Sequence, residues 1–286
     1  MTNSMAHYTI KTMTRRELDL AIDWAAAEGW NPGLHDADCF YAADPNGFLM
    51  GLLDGEPIAS LSVVKYGTSF GFIGFYIVKP DFRGMGYGLQ LWNAGLDYLQ
   101  GRNIGLDGVV AQQDNYIESG FTLAYRNIRY EGMGDGVAAD TPANLVSLSS
   151  LPIDTIIEYD RAFFPDNRAQ FLKCWLTQPS SHAVGLMHDQ ALVGYGILRA
   201  CRTGYKIGPL FADAPQYAER LFLALKANVP AENPFYLDVP ETNPPAVELA
   251  KRYDMNSMFE TARMYTQGEP GLPIDRIFGV TTFELG

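Results

Sequence analysis

Positive charge is scarce in this sequence. It holds 21 lysine and arginine residues against 33 aspartate and glutamate residues, and its formal net charge is −12 at pH 7. A protein that binds nucleic acid through phosphates needs a basic stripe or patch, and the sequence shows none. The acidic balance therefore predicts that nucleic acid is not a partner.

Long hydrophobic runs are also missing. The charge-free stretch 66–78 is shorter than the roughly 20 residues that a membrane helix needs, and glycines interrupt it. Residues 1–11 lack the basic flank and apolar segment of a secretory signal. We therefore expect a cytoplasmic protein without a membrane partner.

Cysteine is rare, with three widely separated residues, Cys39, Cys174 and Cys201. Their spacing resembles neither a disulfide framework nor a zinc site. The sequence predicts neither a disulfide framework nor a bound metal.

Apolar residues are abundant enough for a folded core, at 47% of the 286 residues, with 19% charged. This length suits one large domain or two smaller ones. The glycine-rich segment 131–140 suggests a linker. We predict a first domain over 1–133, a linker over 134–144 and a second domain over 145–286.

The first half shows clear local signals. Thr14 and Glu17 have the spacing of a helix capping box, and Asp54-Gly55 is typical of a hairpin turn. Strands are predicted over 48–53, 58–66, 70–78, 105–110 and 121–130, and a second helix over about 89–99.

The second half repeats this order of elements weakly, which suggests an ancient duplication. Helices are predicted over 161–178, 216–227 and 246–253, and strands over 182–187, 191–200, 205–210 and 235–239. Residues 264–283 are predicted to be an irregular tail packed on the body.

The most informative stretch lies between strand 70–78 and the following helix. Its sequence is Arg83-Gly84-Met85-Gly86-Tyr87-Gly88. The first turn of a helix has backbone N–H groups without partners and a dipole that attracts anions. Glycine lets the backbone approach a phosphate closely. The turn therefore predicts a phosphate or pyrophosphate site.

Three other interpretations of this segment are a dinucleotide-binding fold, a P-loop and an ordinary glycine-rich turn. A dinucleotide fold would place the glycines after the first strand, but several strands come first here. A P-loop needs Lys followed by Ser or Thr, whereas Leu89 and Gln90 follow the last glycine. The third interpretation, an ordinary glycine-rich turn without a ligand, is not excluded by the sequence.

An aliphatic strand, Arg-Gly-x-Gly-x-Gly and a helix together resemble the acetyl-CoA motif of the GNAT-type N-acetyltransferases. The resemblance implies an α/β (α+β) fold of tandem GNAT-like domains, each a mixed, mostly antiparallel twisted sheet flanked by helices. It implies acetyl-CoA as co-substrate. Residues 83–88 would hold its pyrophosphate, with Arg83 adding charge, and Ile77 and Val78 would position the pantetheine arm and thioester.

A second match covers residues 115–121, in which Tyr116 lies four residues before Gly120-Phe121. In many GNAT members this tyrosine protonates the departing CoA thiolate, and Asn115 is included with the cofactor-binding residues. A phenol near a developing thiolate can transfer its proton as the C–S bond breaks. The alternative is a core tyrosine without a catalytic role.

The second half resembles a divergent GNAT-like domain through Gly194-Tyr195-Gly196 and the segments 207–213, 237–240 and 263–265. Its turn, residues 211–215, has no glycine, and Asp213 would repel a phosphate. Ala250 stands where the tyrosine would be. We predict one CoA-binding domain and one degenerate domain that helps to build the substrate site or a homodimer.

The segment 28–44 lies where GNAT enzymes cover the acceptor site. Aromatic rings and carboxylates suit a cationic amine. The candidate substrate residues are Glu28, Trp30, Asn31, His35 and Asp38. The alternative for each is an ordinary solvated surface residue.

These features together predict direct transfer of an acetyl group from acetyl-CoA to a primary amine, most simply a small molecule. Two alternatives remain. The chain is a non-catalytic CoA-sensing or interaction module, or it is an acyltransferase that uses a longer acyl-CoA.

Overall fold

The computed structural model describes residues 7–137 and 144–286. Within them the first half contains six strands and four helices. The strands are β1 (Tyr8–Thr12), β2 (Phe48–Leu53), β3 (Glu56–Tyr66), β4 (Phe70–Val78), β5 (Asn103–Val109) and β6 (Thr122–Met133). The helices are α1 (Arg15–Ala27), α2 (Asp36–Ala43), α3 (Tyr87–Tyr98) and α4 (Gln113–Glu118).

The second half repeats the pattern with variations. Its strands are β7 (Leu145–Ser147), β8 (Ser181–His188), β9 (Ala191–Ala200), β10 (Tyr205–Ala212), β11 (Pro234–Pro240), β12 (Asn256–Tyr265) and β13 (Ile277–Gly279). Its helices are α5 (Ile153–Asp160), α6 (Ala169–Trp175), α7 (Pro215–Lys226) and α8 (Pro244–Arg252). No helix within the described ranges is long and apolar enough to cross a bilayer.

The two halves join by exchanging strands. The sheet order is β1-β2-β3-β4-β5-β12-β6-β11-β10-β9-β8-β7, with β13 paired to β10. Strand β12 of the second half therefore lies between β5 and β6, and β6 of the first half lies between β12 and β11. The pairing is parallel only at β4–β5 and β10–β11. The predicted fold, a mostly antiparallel sheet in each of two GNAT-like halves, is confirmed.

Local predictions succeeded where the signal was local. The Thr14 hydroxyl caps α1, and the Glu17 carboxylate accepts a hydrogen bond from the Thr14 N–H at 2.9 Å. Asp54 and Gly55 both have positive φ, at 51° and 89°, in the predicted hairpin turn. Strand β4 has the predicted bounds of 70–78.

The helix predicted over 161–178 is wrong. The chain there leaves α5 through a 3-10 turn and becomes extended at Phe164, with φ −141° and ψ 144°, before α6 begins at Ala169. The cause is Pro165, because a proline disfavours the helical conformation of the residue before it.

The irregular tail predicted over 264–283 is correct only in part. Met264 and Tyr265 end the central strand β12, and residues 277–279 form β13. The segment does pack on the body, since Ile277, Phe278 and Phe283 are buried. Six residues of the predicted linker, 138–143, lie outside the described residues, and the division into 1–133 and 145–286 stays a prediction.

An aromatic core connects the halves. Phe40 on α2 stacks on Trp175 of α6 with ring centroids 5.9 Å apart, and Phe70 meets Phe164 edge-on at 5.5 Å. Cys39 and Cys174 lie on the same two helices and form a disulfide, with Cα atoms 5.1 Å apart. The prediction that the cysteines are not paired is therefore wrong, because packing brings together helices 135 residues apart in sequence.

Three buried ion pairs also cross between the halves, and one of them joins Arg263 of β12 to Asp107 of β5. Arg129 of β6 binds the Asp238 carboxylate of β11 through two hydrogen bonds of 2.7 Å. Arg199 of β9 pairs with Asp36 of α2 at 3.0 Å. Breaking such a buried pair by removing one partner typically costs about 3–5 kcal/mol, so these contacts strongly disfavour separation of the halves.

Candidate active site

A cavity opens where β4 and β5 separate. The two strands pair in parallel only between residues 70–73 and 103–106. Beyond that point Phe75 adopts a positive φ of 46°, and the β3–β4 register shifts, so β4 bends away from β5. The Ser60 hydroxyl donates to the Phe75 carbonyl at 2.8 Å and holds this bulge. The resulting cavity has a volume of about 620 Å³.

The glycine turn lies at one end of this cavity. Gly84 and Gly86 have φ of 76° and 83°, in the left-handed region that favours glycine. Gly86 directly precedes α3. Within the described residues no protein acceptor is in hydrogen-bonding reach of the backbone N–H groups of residues 84–88. Gly84, Gly86 and Gly88 line the cavity. The turn therefore offers free donors to an anion.

The residues beside the glycine turn leave room for a phosphate ester that carries an extended chain. A Cβ on Gly88 would lie 2.7 Å from the Tyr76 hydroxyl, so only glycine leaves this approach open. Further in, Trp92 is 4% exposed and its indole N–H has no protein partner in the described chain. Ile77 and Val78 line the same wall. An unpartnered buried donor is expected to find a ligand acceptor.

Arg83 and Glu28, predicted for different sites, form one contact. The Arg83 guanidinium donates to the Val78 carbonyl at 2.8 Å and pairs with the Glu28 carboxylate at 2.5 Å. The two side chains are 50% and 36% exposed, and exposed pairs of this kind contribute only about 0–1 kcal/mol. Both residues line the cavity, and a bound pyrophosphate could compete for Arg83.

Tyr116 lies deeper in the cavity wall. It is 9% exposed, its ring is 5.7 Å from that of Trp92, and it packs against Gly108, where a Cβ would lie 2.3 Å from the ring. Burial, with a smaller contribution from Tyr76, raises the pKa of Tyr116 to about 12. The phenol therefore stays protonated across neutral pH, as a proton donor must.

Of the residues that form the proposed acceptor wall of the cavity, the sequence predicted only Trp30. This wall combines aromatic rings with a carboxylate, and the residues are Trp30, Phe75, Phe259, Phe283 and Glu284. Two of them come from the segment 277–286 and one from β12, all in the second half. No local pattern marks them, because only the strand exchange and the course of the tail bring them to β4. Of the predicted substrate residues, Trp30 belongs to this set, and Glu28 lines the same cavity beside Arg83.

Three predicted substrate residues lie elsewhere. The Asn31 side chain exchanges two hydrogen bonds of 2.9 Å with the backbone of Thr203 and joins the halves. His35 precedes α2. Asp38 is 66% exposed and pairs with Arg15 at 2.6 Å. None of the three residues is among those that line the cavity, so the site proposed below omits them.

Three predicted CoA residues also lie outside the lining. Met85 is at the tip of the turn and 61% exposed. Tyr87 begins α3 and packs on Tyr8 with ring centroids 4.9 Å apart. The Asn115 side chain donates to Gln112 at 2.6 Å. At Met85 and Tyr87 the backbone N–H remains available to an anion, as described above.

The equivalent opening in the second half is filled by the chain itself. Strands β10 and β11 pair in parallel only between residues 205–207 and 235–237. In the gap beyond, β13 pairs with β10 at Leu210 and Phe211, and the Val280 N–H donates to the Asp238 carbonyl of β11 at 2.8 Å. Residues 277–280 of the chain itself thus form backbone contacts with both β10 and β11 in this gap.

The turn before α7 is also occupied by protein groups. The Asp213 carboxylate accepts a hydrogen bond from the Tyr159 hydroxyl at 2.7 Å and forms an ion pair with Arg276. The corresponding turn of the first half offers N–H groups of glycine residues. The Asp213 carboxylate in the second half would instead repel a phosphate. These contacts support the prediction that the second half does not bind CoA.

Comparison with known proteins agrees with this architecture. Residues 15–117 match the model of the acetyltransferase (GNAT) family, and residues 156–279 match that of an acetyltransferase (GNAT) domain. Holothin acyltransferase of Pseudoalteromonas sp. (strain SANK 73390) is 31% identical over 279 residues, which cover 98% of this chain and 95% of the relative.

Solved structures show the same fold. A Pyrococcus horikoshii protein, named as an acetyltransferase, superposes with a TM-score of 0.82 at 22% identity, covering 98% of this chain and 96% of its own. A tandem GNAT protein from the clavulanic acid biosynthesis pathway gives a TM-score of 0.64 at 13% identity, covering 93% and 99%.

These matches place the chain among the acyltransferases. The chain belongs to the GNAT family as a two-domain acyltransferase. Members of this family use an acyl-CoA co-substrate, and the glycine turn of the first half has backbone N–H groups without protein partners in the described chain.

One acyl-CoA per chain is the expected stoichiometry, because β13 and the Asp213–Arg276 pair fill the second opening. Native mass spectrometry with acetyl-CoA should show a single adduct. Gly86→Asp serves as the control and should show none. A second adduct on the wild type would contradict the prediction of a degenerate second half.

Proposed function

We propose that this chain is an N-acetyltransferase that moves an acetyl group from acetyl-CoA to a primary amine by direct attack. The observation that carries the proposal is one continuous cavity, lined by the glycine turn, Tyr116 and an aromatic pocket with a carboxylate. The turn donates N–H groups to the pyrophosphate, and strand β4 positions the thioester.

The acceptor end supports an amine carrying an apolar ring. Trp30, Phe259 and Phe283 provide aromatic surface there, and Glu284 provides negative charge. A small primary ammonium ion with a ring matches both features. Tyr116 is the proposed acid for the departing thiolate, because its hydroxyl stays protonated at neutral pH.

The test combines binding and turnover. Calorimetry should show acetyl-CoA binding, and release of free CoA thiol should require a primary amine, with benzylamine as the first probe and benzyl alcohol as its inactive counterpart. Direct attack predicts intersecting initial-rate lines, whereas an acyl-enzyme would give parallel lines and a burst.

Two outcomes would replace the proposal. Acetyl-CoA binding without amine-dependent thiol release, across a panel of primary amines, would indicate a non-catalytic CoA-binding module. Faster turnover with butyryl- or hexanoyl-CoA than with acetyl-CoA would indicate a longer acyl donor. The relative named as an acyltransferase, rather than an acetyltransferase, is the reason to include those donors.

A further inference from the structure

The last residues of the chain run from the second half into the cavity of the first. After β13, the tail crosses to β4, where the Glu284 carbonyl packs against Gly74, one residue before the bulge. A Cβ on Gly74 would lie 2.1 Å from that carbonyl oxygen, so glycine is required for the approach. The Tyr66 hydroxyl donates to the Leu285 carbonyl at 3.0 Å and fixes the end of the tail.

Glu284 is therefore a buried acidic residue whose backbone lies against β4, next to the bulge. Its residue is 4% exposed and lines the cavity, next to Phe283, whose ring is 6.3 Å from that of Phe259. The Thr282 hydroxyl donates to the carboxylate. Within residues 7–137 and 144–286, no cation lies at ion-pair distance from it. Glu284 is thus a buried acidic group without a direct ion pair, although buried cations lie nearby, and it is open to a ligand in the cavity.

Three buried cations lie near Glu284, and two of them, Arg129 and Arg199, have carboxylate partners of their own. Burial opposes the charge of Arg129, but Asp238 outweighs burial, and with a contribution from Glu284 the pKa of Arg129 is raised. Arg199 behaves similarly, with Asp36 as its main partner. Burial lowers the pKa of Lys206 and Arg129 lowers it further, whereas Cys201, Glu284 and Asp238 act in the opposite direction. The Lys206 ammonium group contacts the Trp30 carbonyl at 3.4 Å.

We propose that Glu284 receives the acceptor amine: its carboxylate pairs with the incoming ammonium group and takes one proton from it. The inference rests on the proposed function and adds the residue that recognises and deprotonates the acceptor. It also gives the second half a role. Its former opening holds β13, and β13 anchors the tail that carries Glu284 to the first half.

The proton transfer is reasonable in this setting. In water an ammonium ion does not give its proton to a carboxylate, but away from water two buried charges are expensive, and transfer within the pair removes both. The free amine then attacks the thioester carbon, so that a C–N bond forms and the C–S bond breaks. Tyr116 protonates the thiolate, the second nitrogen proton restores Tyr116, and Glu284 returns its proton to solvent.

The experiment compares the wild type, Glu284→Gln and Glu284→Asp, with benzylamine as the probe amine. Glutamine keeps the shape and an acceptor for Thr282 but loses the charge. We expect its acetyl-CoA dissociation constant to change less than twofold. Its benzylamine affinity, measured on the CoA-loaded protein, should fall at least tenfold, and kcat/KM should fall about 100-fold or more. Aspartate should retain more amine binding than glutamine.

A matched control is Glu158→Gln on α5, where the side chain is 73% exposed and is not part of the cavity lining. Unchanged amine binding and turnover in Glu284→Gln would overturn the assignment. So would a wild type that binds acetyl-CoA but neither binds nor acetylates benzylamine. Failure of the wild type to bind acetyl-CoA would instead remove the proposed function itself.

Discussion

Gly86→Asp is expected to abolish acetyl-CoA binding. The change places a carboxylate where the pyrophosphate would lie and gives a side chain to a residue with φ of 83°. The free N–H groups of residues 84–88 would no longer meet an anion. Each charge-assisted hydrogen bond contributes about 1.5–3 kcal/mol, so losing two of them lowers affinity about 100-fold or more.

Gly101→Asp is the matched control. Gly101 follows α3 with the same φ of 83°, and a Cβ there meets nothing within 4 Å, as at Gly86. The two variants share the backbone strain and the added charge, but only one is at the cavity. Calorimetry should therefore show near wild-type affinity for Gly101→Asp. Equal affinity for Gly86→Asp and the wild type would remove the pyrophosphate from this turn.

Tyr116→Phe is expected to lower kcat while acetyl-CoA affinity is preserved. The hydroxyl is used only as the C–S bond breaks, so its loss affects the transition state and spares the ground state. A general acid typically contributes about 10²–10⁴ in rate. Steady-state kinetics with benzylamine, together with calorimetry for the donor, separates the two effects.

Tyr76→Phe distinguishes Tyr116 from its neighbour. Tyr76 also lines the cavity, and burial raises its pKa as well. If Tyr116 is the acid, the Tyr76 variant should keep kcat within a few-fold. A large loss in Tyr76→Phe with little change in Tyr116→Phe would assign the proton to Tyr76 instead.

The pH profile provides a further check on the acid. A raised pKa means that Tyr116 keeps its proton until the pH approaches 12, whereas an ordinary tyrosine begins to lose it near 10. Activity should therefore not fall as the pH rises from 7 to 10. A decline centred well below pH 10 that disappears in Tyr116→Phe would contradict a protonated, buried donor.

The sequence by itself determined the features that depend on neighbouring residues. The capping box of Thr14, the hairpin turn at Asp54-Gly55 and the glycine turn after β4 each need only a few consecutive residues. The replacement of glycine around Asp213 was equally visible, and so was Tyr116 through its spacing to Gly120. The sequence therefore pointed to the glycine turn and Tyr116, but not to Tyr76 and Trp92, which line the same cavity.

Only the tertiary structure decided what joins distant parts of the chain. The exchange of β6 and β12, the Cys39–Cys174 disulfide and the passage of the tail into the first half depend on packing between the halves. No local sequence pattern marks a single residue such as Glu284 as functional, because its role depends on the residues that surround it in the folded protein. The acceptor half of the site is assembled from such residues, and the sequence alone could not place them.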